Sequence, residues 1–177
     1  LTDSLSAIKQ LVFDDGAVAL PELTEALDTD FAGHEILREQ LMNRTPKYGN
    51  DDDRADDLMV QAFNMIFEAV DGRPNAKGGR YQMEMLPTTC HVYFGSVIGA
   101  TPDGRRARTP LSEGISPVQG MDRLGPTAVF RSAAKMEHVK TGGTLLNMKF
   151  IPQVLEGEEG VAKLAALIRT YFRLGGH

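Results

Sequence analysis

Residues 55–70 place the strongest constraint on the fold. On a helix of 100° per residue, Leu58, Met59, Val60, Phe63, Met65, Ile66, Phe67 and Val70 cover most of the circumference. A surface helix carries one apolar stripe. A helix apolar nearly all round needs cover on several sides. Two placements supply it: the centre of this chain's own core, or the interior of a larger body. At 177 residues and 42% hydrophobic content, the chain is long enough to bury a sizeable core as one domain. It begins at Leu1 directly in a helical pattern and stops at Leu174-Gly175-Gly176-His177 with no polar tail. The expectation is a piece of a larger protein.

The chain before this helix reads as a set of short helices. Residues 4–14 place Leu5, Ile8 and Val12 on one face with Leu11 beside them, and Thr2, Asp3 or Ser4 can cap the start. Gly16 ends that helix. Pro21 suits a first helical position, and 22–27 makes a short helix with acids in its first turn. Residues 31–42 make a third, with Ile36, Leu37 and Leu41 inward. Pro46, Gly49 and Asn50 then mark a loop. The acid run Asp51, Asp52, Asp53 lacks the alternating ligands, the glycine and the closing glutamate of an EF-hand. It reads as a cap and dipole complement for the helix that follows.

The second half changes character. Residues 88–94, rich in Thr, Val, Tyr and Phe, predict a strand. Residues 107–122 are a long irregular segment punctuated by Pro110, Gly114, Pro117 and Gly120. A helix over 126–136, a strand over 144–150 and an acidic turn at 157–160 follow. Over 161–172, Val161, Leu164, Ala165, Ile168, Tyr171 and Phe172 form the apolar stripe of an amphipathic helix. Strand, helix, strand, helix is the order of parallel units, so the fold class is α/β with a helix-rich N-terminal half.

A formal charge of −5 argues against broad nucleic-acid or anionic-membrane binding, which requires excess Lys and Arg. No apolar run is long enough to span a bilayer, and no signal-peptide pattern is present. A single cysteine cannot form an internal disulfide and fits a reducing compartment. The expected location is cytoplasmic.

Adjacent Cys90 and His91 invite a nucleophile–base reading. On a strand, however, neighbours point to opposite faces, so the pair cannot act as a dyad. Cys90 then reads as a buried small hydrophobe and His91 as a structural hydrogen-bonding residue. His34, His91, His138 and His177 show no ligand spacing, so no metal site is expected. Residues 99–106, GATPDGRR, approach a phosphate-binding loop but lack its Lys and Ser/Thr, and a Pro-rich loop follows instead of a helix. A Pro-Asp-Gly turn with positive φ at Gly104 accounts for them. Arg105 and Arg106 have two readings: bidentate contacts to an anionic substrate, or structural salt bridges to neighbouring carboxylates.

Several blocks together resemble one family. They are PKYGNDD at 46–52, HVYFGSVIGATPDGRRA at 91–107, PLSEGISPVQGMDRLGPTA at 110–128, SAAKM at 132–136, GGTLLNMKF at 142–150 and LIRTYFRLGGH at 167–177. In this order they resemble the glycyl radical enzymes of the pyruvate formate-lyase-like superfamily, most of all the dehydratase branch of the 4-hydroxyproline dehydratase kind. The resemblance implies part of a ten-stranded α/β barrel. Residues 1–115 would end the pyruvate formate-lyase-like domain, and 116–177 would start the glycine radical domain, short of the radical loop.

The family's thiyl cysteine stands in a GCxE-like context and its radical glycine in RVxGY. Cys90, between Thr89 and His91, matches neither, and no glycine here lies in RVxGY. The resemblance therefore implies no catalytic residue, metal ligand or bound cofactor in this chain. The glycyl radical would lie elsewhere in the full protein, installed by a separate activating enzyme that uses S-adenosylmethionine and an iron–sulfur cluster. The implied partners are a small-molecule substrate, that activating enzyme and a second subunit of a homodimer. Family members line the substrate pocket with residues just before HVYFG, which here are Leu86 and Thr88. The implied reaction is radical elimination. The alternatives are C–C cleavage of the formate acetyltransferase type, or a non-catalytic structural fragment.

Overall fold

The computed structural model describes residues 1–86 and 89–176. Helix α1 (Thr2–Ile8) runs unbroken into a π-helical stretch (Lys9–Asp14), so the helix expected over 4–14 is present, with its second half widened. Helix α2 (Leu20–Asp28) takes Pro21 in its first turn, where a missing N–H costs nothing. Helix α3 (Glu35–Asn43) starts later than the pattern predicts, because Asp30 and Phe31 turn with φ of 50° and 63°. Ala7, Leu11, Leu23, Ala26, Phe31 and Leu41 close a first core between these helices.

Helix α4 (Asp53–Val70) is capped by Asp52, whose side chain accepts from the Arg54 backbone N–H at 3.0 Å. The acid run thus caps the helix, as expected. The side-chain hydrogen bonds from Arg54 hold the Asp52 carboxyl below its usual range. Ala55, Asp56, Met59, Ala62 and Phe63 form a single buried face of α4, and Met65 and Ile66 are exposed. The cover on several sides that the composition of α4 calls for is thus not supplied by the described residues. Met59 and Phe63 pack with Tyr48, Met83, Ile115, Ala133 and Met136 in a second core.

The strand predicted over 88–94 is corrected: Cys90–Val97 is helix α5, and Thr88 lies outside the described residues. Extended propensity is weak and yields to packing. Gly95, the buried residue of α5, lies flush against the backbone of 109–111. Helix α6 (Pro126–Ala134) starts after Gly125, as expected, and packs on α7 (Gly157–Arg173). The acidic turn placed at 157–160 is instead the first turn of α7. Its acids Glu158 and Glu159 complement the helix dipole there. The stripe of α7 is only partly covered: Leu164, Ala165 and Tyr171 are half-buried, while Val161, Ile168 and Phe172 are exposed.

Among the described residues no strand is formed, so neither the strand expected over 144–150 nor the strand, helix, strand, helix order is built by them. What remains of it is one parallel bridge, Met85 to Thr144. Exposure alternates residue by residue along 144–150, the mark of an extended segment, with the even-numbered residues turned inward. No helix among the described residues is long and apolar enough to cross a membrane.

One buried carboxylate links α1 to the second core. Asp3 is 4% exposed, and its Oδ1 accepts the Tyr48 N–H at 2.8 Å. Its Oδ2 has no hydrogen-bond partner among the described residues. Burial raises its pKa from 3.8 to about 6, against the Tyr48 hydrogen bond and the Lys47 charge, with Asp103 adding to the rise. Folded Asp3 therefore binds its proton more tightly than unfolded Asp3. The stability this confers is complete below about pH 4 and is lost as pH rises through about 6. Asp3→Asn, which keeps an acceptor for Tyr48, is expected to be more stable than the parent above pH 7, by up to about 3 kcal/mol. Urea unfolding across pH 4–8 should show a flatter profile for the variant. Parallel profiles would refute the assignment.

Candidate functional site

The stretch from Met83 to the end of the Pro-Asp-Gly turn gathers the residues singled out in the sequence. Leu86 is half-exposed, beside Gly143. It follows Met85, whose N–H donates to the Gly143 carbonyl at 2.9 Å and whose carbonyl accepts from the Leu145 N–H at 3.3 Å. Gly142 N–H donates to the Met83 carbonyl at 3.1 Å. Two chain segments thus run side by side in parallel, with Leu86 at the leading end of the first.

Cys90 is exposed, which corrects its reading as a buried hydrophobe. The strand argument against a Cys–His dyad also falls with the strand. The helix supplies another reason: successive side chains diverge by about 100° and do not face each other. His91 fits its structural reading. Its carbonyl accepts the Leu111 N–H at 3.2 Å, and its Nδ1 lies 3.9 Å from Glu113 Oε2. Among the described residues no group of three or more His, Cys, Asp or Glu side chains is placed to hold a metal ion, and the residues present offer no ligand set for one.

The turn behaves as its sequence predicts. Gly104 has φ of 91°, and its N–H donates to the Thr101 carbonyl at 3.0 Å. Arg105 binds backbone: its guanidinium donates to the carbonyls of Gly99, Arg106 (3.0 Å) and Thr109 (2.6 Å), and so closes the 98–109 loop on itself. Arg106 donates to the Asp30 carbonyl at 2.9 Å, and its guanidinium lies 3.7 Å from the Asp30 carboxylate. The salt-bridge reading therefore holds for Arg106, and carbonyl contacts replace it for Arg105.

Two features escaped sequence reasoning. Glu113 accepts from Asn147 Nδ2 at 2.7 Å, and both border a polar cleft of about 510 Å³ with His91, Ser112, Ser116 and Lys149. Nothing in the local pattern around PLSEG links Glu113 to either partner. The other is the contact of Lys135 Nζ with Asp53 at 2.6 Å, Asp56 at 2.7 Å and Asp51 at 3.3 Å. Partial burial alone would lower the Lys135 pKa, but the hydrogen bonds to Asp53 and Asp56 outweigh it and hold the ammonium above its ordinary range. Burial raises the Asp56 pKa, and Lys135 and Ser132 pull it back.

The helix-rich build, the parallel pair of segments and the ordered motifs define the class. This chain belongs to the pyruvate formate lyase-like family, whose model matches residues 1–95, and a glycine radical model matches residues 111–177. It is 53% identical to trans-4-hydroxy-L-proline dehydratase of Clostridioides difficile over 177 residues, all of this chain and 22% of the relative. The probable dehydratase YbiW of Escherichia coli is 44% identical over 98% of this chain and 23% of its own length. The crystal structure of the C. difficile hydroxyproline dehydratase with substrate bound superposes with a TM-score of 0.96, at 53% identity, covering 99% of this chain and 22% of that one. The chain thus spans about a fifth of the length of these relatives.

Proposed function

We propose that this chain is a section of a glycyl radical enzyme of the dehydratase or lyase type, acting on a small polar substrate of the hydroxylated amino-acid class. The observation that carries the reading is the parallel bridge between Met85 and Thr144, with half-exposed Leu86 at its leading end. Relatives named as dehydratases match along the whole of this chain. In this reading 83–86 and 144–150 are neighbouring strands of a ten-stranded barrel, and Leu86 and Thr88 form part of the substrate wall. Residues 1–115 end the pyruvate formate-lyase-like domain, and 116–177 open the glycine radical domain. A glycyl radical outside this chain, installed by an activating enzyme with S-adenosylmethionine and an iron–sulfur cluster, supplies hydrogen abstraction. The residues of this chain position substrate and exclude water. The full protein is a cytoplasmic homodimer.

The test is anaerobic activation of the full-length protein. A glycyl radical signal in electron paramagnetic resonance and dehydration of trans-4-hydroxy-L-proline are expected. No radical after activation would overturn the proposal. Leu86→Ala should lower kcat/KM by about tenfold, the worth of one well-placed apolar contact, with radical content per protomer unchanged.

A further inference from the structure

Leu86 and the first turn of α5 are held through one shared support. Met85 exchanges backbone hydrogen bonds with Gly143 and Leu145, and Leu145 in turn accepts the Ile115 N–H at 3.2 Å. Asn147 N–H donates to Ser116 Oγ at 2.9 Å, and Asn147 Nδ2 donates to Glu113 Oε1 at 2.7 Å. The second oxygen of Glu113 faces His91 Nδ1 at 3.9 Å, where α5 begins, and the His91 carbonyl takes the Leu111 N–H. Residues 143–147 therefore support Met85 by backbone bonds, with Leu86 beside Gly143, and the start of α5 through the Glu113 carboxylate. A carboxylate has two acceptor oxygens, and here each is turned to one side of the gap.

We infer that Glu113 is a positioning residue. It spans from Asn147 to His91 and sets the separation between the 143–147 segment and the start of α5, and so the pose of Leu86, which lies beside Gly143. This rests on the dehydratase reading insofar as Leu86 meets substrate. The hold itself does not. Glutamine can replace the carboxylate: its oxygen accepts from Asn147 while its amide fills the same place beside His91. Alanine can do neither.

The experiment compares the full-length protein with its Glu113→Gln and Glu113→Ala variants by amide hydrogen exchange and steady-state kinetics. Glu113→Ala is expected to speed exchange at the start of α5 and over 143–147 by about tenfold or more. It should also raise KM for trans-4-hydroxy-L-proline by about tenfold at unchanged radical content. Glu113→Gln should restore both. Asn147→Ala removes the other end of the same bridge and should reproduce the effect if Glu113→Ala does not fold. Unchanged exchange in both truncations would overturn the inference. So would faster exchange with KM unmoved, which would leave Glu113 a purely structural contact. Should the parent protein carry no radical, the dehydratase reading fails, and the exchange measurement alone decides the role of Glu113.

Discussion

Replacing Lys135 by alanine is expected to destabilise the protein by about 3–5 kcal/mol, the cost of leaving a buried charge without its partner. Asp56 is fully buried, and its Oδ2 accepts from Ser132 Oγ at 2.9 Å and Lys135 Nζ at 2.7 Å. Its Oδ1 has no hydrogen-bond partner among the described residues. Without the ammonium, only the Ser132 hydroxyl supports that carboxylate. The variant should regain stability toward acid pH as Asp56 takes up a proton, the direction that burial already favours. Adding Asp56→Asn should recover most of the loss, and a double-mutant cycle measures the coupling. Urea midpoints at pH 5 and pH 8 check both signs. A loss below about 1 kcal/mol would class the contact with solvent-screened surface pairs.

The second large effect concerns Gly95. A methyl group added there would lie 2.7 Å from Pro110 Cα and 2.9 Å from Leu111 N, and closer still to the Thr109 carbonyl. All three are backbone atoms, so no rotamer change relieves the overlap, and α5 or the 109–111 segment must shift. Gly95→Ala gains about 1 kcal/mol of helix propensity. Overpacking against rigid backbone costs about 1–3 kcal/mol and occasionally more. The steric cost is expected to prevail, with net destabilisation and loss of protection at the Leu111 amide, which bonds to the His91 carbonyl. Thermal unfolding and amide exchange measure both. A variant at least as stable as the parent would show that 109–111 yields freely.

What could be read in the sequence follows from where the information lies. Helix α4 and its Asp52 cap, the Gly125 start of α6 and the Pro-Asp-Gly turn at Gly104 are set by residues within a few positions of one another. Helix α5 is the opposite case. Val92, Tyr93, Phe94 and Val97 spread over more than half of its circumference in a run of only eight residues, so no clear period distinguishes helix from strand, and β-branched and aromatic residues tip the reading to strand. The deciding feature, close approach of Gly95 to the 109–111 backbone, is tertiary. The strand expected over 144–150 is not formed among the described residues: exposure alternates along it as in a strand, but a ladder needs partners beyond the one bridge at Thr144. Of the candidate site, Leu86 is singled out only by the family resemblance, and Glu113 not at all, because its partners His91 and Asn147 are distant in sequence.

The ionic cluster at Lys135 also bears on how such chains can be recombined. Its acids, Asp51, Asp53 and Asp56, fall in the region matched by one family model, and Lys135, Arg131 and Ser132 fall in the region matched by the other. Tyr48 Oη donating to the Ile115 carbonyl and Asn50 Nδ2 donating to the Met121 carbonyl cross the same divide. The interval between the two matched regions lies outside both family models, but in space the two sides share one set of polar contacts. A chimera joined within residues 96–110 inherits half of each contact from each parent. Such hybrids should fold only when both parents carry compatible charges at these positions, which ties the two regions together as a single unit of inheritance.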